Sequence, residues 1–573
     1  MPETTELSEA EAGLSFDLTD RPWVPVQWLD RTEDELSLSE VFTQAARLRR
    51  LAGDLPTQEF ALLRLLLAVA HDAFDGPRTI DDWADLWADP DCFATVPAYL
   101  ARHRQRFDLL HPTAPFFQVV GLHTAKGEVF SLNRIVADVP NGEPFFTSRM
   151  PDVARLGFAE ATRWVVHAHA YDTSGIKTGV EGDDRVKGGK VYPQGVGWAG
   201  TLGGVFAEGN DLRETLLLNL IAADTSGIRF GQGDMPAWRR EPCGPGATGR
   251  LRPSGVRDLY TWQTRRLRLH FKADGVHGVV LGYGDPLTPH NMHSYEPMTG
   301  WRRSPAQEKK RGEPVVYLPQ EHDPARSAWR GLAALISNPI TGAQSAEAAA
   351  RLRPGVFEWI ARLVTEGELD KGFLIRARVV GPVYGTQQSV IDEVVNDHLS
   401  MGVVLLHQRD REYAQQAIDA VADAEAAVRT LGDLASDLAR AVGADPDPAK
   451  DIARDLGFGA LDGLYPIWLR ELTDEADPYE YRTVWQRRVY RCVIGLGERL
   501  LTHAGDAAWE GRTVESKTGT EWLNSALADG WFRSRLSKAL GDPFPTAPPT
   551  DEPAGPPSGT HPAGPDFSPK VPA

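Results

Sequence analysis

The spacing of apolar residues changes near residue 408, and this change limits the folds that the chain can adopt. Beyond that point apolar side chains recur at steps of three, four or seven residues, as on one face of an α-helix. They are Ile418, Val421, Val428, Leu431, Leu434, Leu438 and Val442. Further helical patterns cover about 449–472, 478–504 and 521–540. Four such segments with short connections predict an antiparallel four-helix bundle over residues 405–541.

Residues 16–404 show no single period. Strand-like alternation at Thr264–Phe271 places Leu267, Leu269 and Phe271 on one face, whereas a helical stripe follows Thr57, the expected N-cap. This irregular order predicts a large α+β domain over 16–404. Residues 1–15 form an acidic, flexible lead, and residues 542–573, with 11 prolines in 32 positions, are expected to be a disordered tail.

The charge distribution gives two opposing indications of whether the chain binds nucleic acid. The net charge is −18, which argues against nonspecific coating of nucleic acid. Residues 250–272, however, hold seven basic side chains against one acidic, and residues 301–311 hold five against one. Such stretches could contact phosphates or simply pair with acids of the same chain.

The usual signatures of several enzyme and membrane classes are missing. Val191 follows Gly189-Lys190 where a phosphate-binding loop needs Ser or Thr, and no Gly-x-Ser-x-Gly motif occurs. No apolar run approaches the ~20 residues of a membrane span, and residues 1–20 hold six acids and no Lys or Arg. Three cysteines are too few and too dispersed for a disulfide framework. We therefore expect a cytoplasmic protein.

Two histidine-containing motifs could indicate metal chemistry. The dipeptide His71-Asp72 is the core of one class of metal-dependent phosphohydrolase, although that class needs further ligands on packed helices. His167 and His169 could face one side of a strand as ligands, or could be a buried pair with ordinary hydrogen bonds.

Residues 174–204 contain ten glycines, more than three times the average density of the chain. Such a segment is typical of a long loop, or of backbone that another molecule approaches closely.

Several segments, taken in order, resemble the CasA family, the large subunit of the type I-E CRISPR surveillance complex called Cascade. They are "DRPWVPVQWLDRTEDELSLSEVF", "DLPTQEFALLRLLLAVAHDAF", "RFDLLHPTAPFFQ", "YDTSGIKTG", "KGGKVYPQGVGWAGTLGG" and "YGTQQSVIDE". The resemblance extends over about residues 15–540 and excludes the acidic lead and the Pro-rich tail.

The resemblance implies an antiviral, RNA-guided, non-enzymatic role. Members of the family bind double-stranded DNA, recognise the protospacer-adjacent motif (PAM) beside the target, promote duplex opening and R-loop formation, and help recruit a separate helicase–nuclease. The implied partners are CasB, CasC, CasD, CasE, crRNA and target DNA. The family also has a mixed amino-terminal domain followed by a four-helix bundle, as the residue patterns predict here.

The resemblance also implies specific DNA contacts. The family inserts a glutamine-bearing hairpin tip as a wedge, which corresponds here to Gln388 with Gln387 beside it; the alternative is an ordinary polar turn. A glycine-containing loop approaches the motif, and its candidates here are Gly188, Gly189, Lys190, Gly195 and Gly197. The upstream loop, about Thr173 to Lys187, corresponds to one directed at the crRNA end.

A basic motif-reading side chain of the family cannot be assigned among Arg302, Arg303 and Lys309, which remain candidate phosphate contacts. Some members bind zinc through cysteine pairs, and this chain lacks those pairs. We therefore expect no metal and no cofactor. Two alternatives stay open: a metal-dependent phosphohydrolase using His71-Asp72, and a helical scaffold that serves assembly alone.

Overall fold

The computed structural model describes residues 13–137, 153–337, 349–409, 411–516 and 519–541. Most of the predicted acidic lead and the whole Pro-rich tail lie outside these residues. The described chain mixes helices with short antiparallel sheets, as predicted, and its carboxyl-terminal region is rich in helices.

The strands are β1 Val24–Trp28, β2 Glu33–Leu36, β3 Leu48–Leu51, β4 Lys177–Thr178, β5 Lys190–Val191, β6 Gly204–Glu208, β7 Arg265–Lys272, β8 Gly275–Tyr283, β9 Trp301–Arg303, β10 Tyr317–Pro319, β11 Arg351–Leu352, β12 Leu374–Tyr384, β13 Ile391–Gly402, β14 Arg512–Ser516 and β15 Gly519–Leu523.

The helices are α1 Leu38–Thr43, α2 Pro56–Phe74, α3 Ile80–Ala88, α4 Val96–Arg102, α5 Phe158–Tyr171, α6 Leu212–Asn219, α7 Val256–Tyr260, α8 Pro305–Arg311, α9 Leu332–Ile336, α10 Gly355–Glu366, α11 Glu412–Val442, α12 Pro446–Asp462, α13 Leu464–Glu471, α14 Pro478–His503, α15 Gly505–Glu510 and α16 Ser525–Ala539. No helix of the described residues combines the length and the apolar character that crossing a membrane requires.

The sheets are small and antiparallel. Three have three strands, in the orders β2-β1-β3, β10-β9-β11 and β13-β12-β6, and the pairs β4-β5, β7-β8 and β14-β15 form two-stranded sheets. In the sheet β13-β12-β6, β12 and β13 form the longest hairpin of the described chain, and the predicted wedge residues Gln387 and Gln388 lie in the turn between them.

The chain divides into two compact units. One contains the residues up to 424 together with 458–485, and the other contains 425–457 together with 486–573. The predicted domain division at residue 405 stays a prediction. The four-helix bundle predicted for 405–541 also stays a prediction.

Helix α2 forms the centre of the larger unit. Nearly every side chain from Thr57 to Asp72 is buried, and the helix packs on α5, α7 and β12. A helix that is apolar on all sides has to be covered on all sides. Its one buried cation, Arg64, makes a bidentate ion pair with the buried Glu296 at 2.9 and 2.8 Å, so the charge is compensated inside the core.

The helix predicted after Thr57 is confirmed as α2, whereas other local predictions are wrong. Ser37 and Glu40 form a capping box at the start of α1. Thr57 is not the N-cap of α2: that position is Leu55, and the Thr57 hydroxyl lies 3.0 Å from Nε2 of His167. The helix predicted over 449–472 is divided between α12 and α13, and the hairpin β14–β15 was not predicted.

Candidate nucleic-acid interface

The tip of the β12–β13 hairpin carries the two predicted wedge residues. Gly385 donates its N–H to the Val390 carbonyl at 3.1 Å, which closes the turn. Gln387 and Gln388 both adopt left-handed backbone conformations, with φ of 58° and 55°, and both side chains are exposed. Left-handed backbone is uncommon for residues with a Cβ. The tip therefore presents two neutral amides on a strained, solvent-facing turn.

The glycine-rich segment contains a second, smaller hairpin that the sequence did not reveal. Lys187 and Lys190 exchange backbone hydrogen bonds of 2.8 and 3.2 Å across Gly188 and Gly189, whose φ angles are 58° and 76°. Two consecutive positive φ angles are what a type I′ turn requires. A Cβ added at either glycine would meet open space, so the turn is accessible from outside. We call residues 187–190 the glycine turn; both of its lysines are exposed.

The other two glycine candidates differ from each other. Gly195 has a φ of 97°, and a Cβ there would meet open space. Gly197, in contrast, has an ordinary φ, and a Cβ there would lie 2.3 Å from the carbonyl carbon of Ala170 at the end of α5. Packing against α5 is therefore sufficient to explain Gly197.

Ser174 joins the hairpin tip to the glycine-rich segment. Its backbone N–H donates to the carbonyl of Gln388 at 2.8 Å, and its hydroxyl accepts the N–H of Gly195 at 3.1 Å. The hydroxyl of Tyr384, one residue before the tip, donates to the Tyr171 carbonyl at 2.6 Å. Ser174 thus links the predicted wedge residue Gln388 to Gly195 of the predicted glycine loop.

Buried ion pairs hold the backbone around Ser174, Gln388 and Gly195, which we call the junction. Lys177 Nζ lies 2.6 Å from a carboxylate oxygen of Asp172, which also accepts from Arg265 Nε. Arg265 Nη2 donates to the carbonyls of Thr173 and Gly195, at 3.1 and 3.0 Å. Burial would raise the pKa of Asp172, but the two cations hold it below its usual value, so the carboxylate stays ionised. Ion-paired, buried side chains therefore hold the backbone at the junction in place.

Two exposed apolar side chains beside the junction were missed at the sequence level. Ile176 and Tyr192 are 56% and 60% exposed, at the ends of β4 and β5 away from the glycine turn. The strand-like alternation that would indicate them is present, because Lys190 and Tyr192 lie on the face opposite to the buried Val191. The glycines on both sides favour a loop and therefore mask this alternation.

The predicted basic contacts are found in different environments. Arg302 on β9 and Lys309 on α8 are exposed, whereas Arg303 is held by Glu308 at 2.7 Å. In the other basic stretch, Arg265 and Arg266 are almost completely buried, and Arg266 pairs with Asp285 at 2.8 Å. The expectation that residues 250–272 supply phosphate contacts is wrong for these two arginines, because carboxylates inside the fold neutralise them.

The residues of the two histidine-containing motifs form hydrogen bonds and ion pairs within the fold. His71 is buried, with Nδ1 2.9 Å from the Gly76 carbonyl, and Asp72 pairs with Arg239 at 2.9 Å and Arg257 at 3.1 Å. His167 and His169 lie on helix α5, so the predicted strand is wrong. Within the described ranges, no three His, Cys, Asp or Glu side chains are grouped as metal ligands would be.

Comparisons with known proteins agree over most of the chain. The family model described as CRISPR-associated protein Cse1 matches residues 17–496. A CasA/Cse1 protein of Thermus thermophilus is 28% identical over 558 residues, which cover 92% of this chain and 97% of that protein. The crystal structure of Thermobifida fusca Cse1 is 57% identical, with a TM-score of 0.85 over 92% of this chain and 98% of that one.

A chain in a structure described as a CRISPR RNA-guided surveillance complex shares the fold, with 19% identity and a TM-score of 0.61. That likeness covers 86% of this chain and 99% of the other.

Proposed function

The chain belongs to the CRISPR-associated Cse1 (CasA) family, and from this premise we propose that it is the large subunit of a crRNA-guided antiviral surveillance complex. In that complex it recognises the PAM on double-stranded DNA and promotes duplex opening and R-loop formation. It also helps to recruit a helicase–nuclease and carries no catalytic site of its own. Its partners are CasB, CasC, CasD, CasE, crRNA and the target duplex.

One observation carries the DNA-reading part of this proposal: Ser174 ties the Gln388 tip to the glycine-rich segment. A wedge can act only where something else holds the closed duplex beside it. The glycine turn supplies open backbone and two exposed lysines, which suit contacts with phosphates and sugar edges. The Ser174 hydrogen bonds join the tip to the glycine-rich segment that contains this turn, which supports a joint role for the two elements.

The chemistry of the tip suits strand separation. Opening costs about 1.4 kcal/mol of stacking for each base-pair step. An amide side chain is neutral and can both donate and accept, so it can fill the gap and bond to the edges of unpaired bases. The exposed ring of Tyr192 offers a surface on which an unpaired base can stack.

The experiment compares Gln388→Ala with wild type in the assembled complex on two targets, a fully paired duplex and one with a pre-opened bubble beside the PAM. We expect slow R-loop formation on the paired target and near-normal formation on the bubble, because the bubble no longer requires the wedge. Gln105→Ala, which removes an exposed glutamine elsewhere, is the matched control.

Equal defects on both targets would show that Gln388 acts in binding rather than opening. No defect on either target would show that the tip is an ordinary turn. If the chain served assembly alone, complexes with Gln388→Ala or Gln105→Ala would form R-loops on both targets at the wild-type rate.

A further inference from the structure

A cavity of about 250 Å³ in the larger unit is lined by three arginines that the proposed function does not use. They are Arg106, which follows α4, and Arg240 and Arg250, which flank the loop before α7. The indole of Trp262 forms part of the wall, and the guanidinium of Arg250 lies 4.4 Å above its ring. This contact fixes the position of one cation at the cavity.

The three carboxylates of the cavity wall compensate its three arginines only in part. Arg240 and Arg250 share the single buried carboxylate of Asp258, with Arg240 Nη2 at 3.2 Å. A second acid on the wall, Asp285, is already paired with the buried Arg266 at 2.8 Å. A third, Glu241, is exposed at the rim; it makes no ion pair within the described chain, and its charge offsets only part of the effect of burial on the pKa of Arg106.

Arg106 has the least compensated charge of the three. Its two terminal nitrogens donate to the carbonyls of Arg240 and Ala237, at 2.7 and 3.3 Å, and no carboxylate of the described residues forms an ion pair with it. Burial lowers the pKa of Arg106, and also that of Arg240. An anion in the cavity would offset this cost of burial.

One neutral donor group completes the lining. No described group hydrogen-bonds the side-chain amide of Gln263, whereas the Thr248 hydroxyl already donates to Asp285 at 3.0 Å. Planar guanidinium groups bind phosphate oxygens in pairs, and an amide N–H can satisfy a remaining oxygen. Three arginines with the Gln263 amide are therefore suited to an oxyanion with several acceptors.

We propose that this cavity binds a small phosphate, either inorganic phosphate or the phosphate of a mononucleotide, between Arg106 and the Arg240–Arg250 pair. The hairpin tip and the glycine turn contribute no residue to this site, and the inference does not depend on the proposed function.

The test is titration calorimetry on the full chain at constant ionic strength, with inorganic phosphate, adenosine monophosphate and adenosine as probes. We expect both phosphates to bind and adenosine not to bind. Tighter binding of the monophosphate identifies a nucleotide as the ligand, and equal binding identifies free phosphate; both support the site. Binding of adenosine as tightly as its monophosphate would overturn the proposal, as would no binding of either phosphate.

Variants locate the site. Arg106→Gln should weaken phosphate binding by about tenfold or more, since a hydrogen bond to a charged group contributes roughly 1.5–3 kcal/mol. Lys126→Gln removes one exposed positive charge outside the cavity and should leave binding unchanged. Because Arg106 also supports backbone carbonyls, Gln263→Glu provides a second variant that places a negative charge in the cavity; it should abolish binding at an unchanged thermal midpoint. Wild-type affinity in both variants would overturn the proposal.

Cys243 provides an independent reporter. Its partly exposed thiol lines the cavity, whereas the thiol of Cys492 lies on α14. Phosphate should slow alkylation of Cys243 by iodoacetamide, measured by peptide mass spectrometry, and should not change the rate at Cys492. Equal rates at Cys243 with and without phosphate would place any bound phosphate outside this cavity.

Discussion

Ser174 shows how one small side chain can organise a site. Its N–H and its hydroxyl bond in two directions, to the hairpin tip and to Gly195. Two residues before it, Asp172 pairs with Lys177 and Arg265, and Arg265 also donates to the backbone carbonyls of Thr173 and Gly195 on either side of the junction. The exposed residues of the site therefore depend on buried ones that never meet the solvent.

Three buried histidines predict a pH-dependent stability. Burial lowers the pKa of His71 and His167 to about 3 and that of His169 to about 4, against an ordinary value of 6.5. Below pH 6.5 the unfolded chain therefore binds more protons than the folded chain, and stability falls as the pH falls. We expect a loss of about 1 kcal/mol for each histidine between pH 6.5 and 5.5, measured by urea unfolding.

His167→Gln is the matched variant, because glutamine does not take up a proton in this range. It should make the pH dependence shallower by about one histidine's share. A pH profile identical to that of wild type would contradict the assignment of His167 as a buried neutral group.

At the level of elements, the glycine turn gives a test of why glycine is there. Gly188→Ala and Gly188→Asn both add a Cβ, but asparagine tolerates left-handed backbone better than alanine. If close approach of DNA requires glycine, both variants should weaken DNA binding by the assembled complex, with the thermal midpoint lowered more by alanine. Normal DNA binding by Gly188→Asn would show that the turn needs only its backbone conformation.

The packing of α11 predicts a large effect at Leu434. This side chain is fully buried, and a Cβ added at Gly497 would lie 3.3 Å from it and 2.4 Å from Phe532. Leu434→Asp places a charge in that contact and should cost about 3 kcal/mol or more, seen as a lower thermal midpoint. Arg429→Asp, on an exposed face of the same helix, should have little effect. An unchanged midpoint for Leu434→Asp would contradict this packing.

The sequence predicts some elements and not others, for physical reasons. The pattern behind α11 was visible because its apolar period continues over many turns, and the β12–β13 tip was found through resemblance. The strands of β14–β15 were missed because five-residue strands with mixed polar residues carry little periodic signal. The Ser174–Gln388 contact has no local signal, since neither residue type indicates a partner elsewhere in the chain.

At the level of the whole molecule, charge position matters more than net charge. Arg266 is buried, whereas Lys190 and Lys309 are exposed to solvent. We expect Lys190→Gln and Lys309→Gln each to reduce the slope of log affinity for duplex DNA against log salt by about one. Lys371→Gln, an exposed lysine elsewhere, is the control. An unchanged slope in Lys309→Gln would show that α8 does not contact DNA. Arg266→Gln should lower the thermal midpoint and leave the salt slope unchanged, because Arg266 is buried.

The contact between Ser174 and Gln388 also sets a timetable for biosynthesis. The two residues are separated by 388 − 174 = 214 positions. At about 5–20 residues per second, a ribosome needs roughly 10–40 s to make that stretch. During this interval the glycine-rich segment has left the ribosome while its hydrogen-bonding partner has not yet been translated. A nascent or truncated chain that lacks the β12–β13 hairpin therefore cannot complete the junction, which requires the chain to be made at least as far as Gly402.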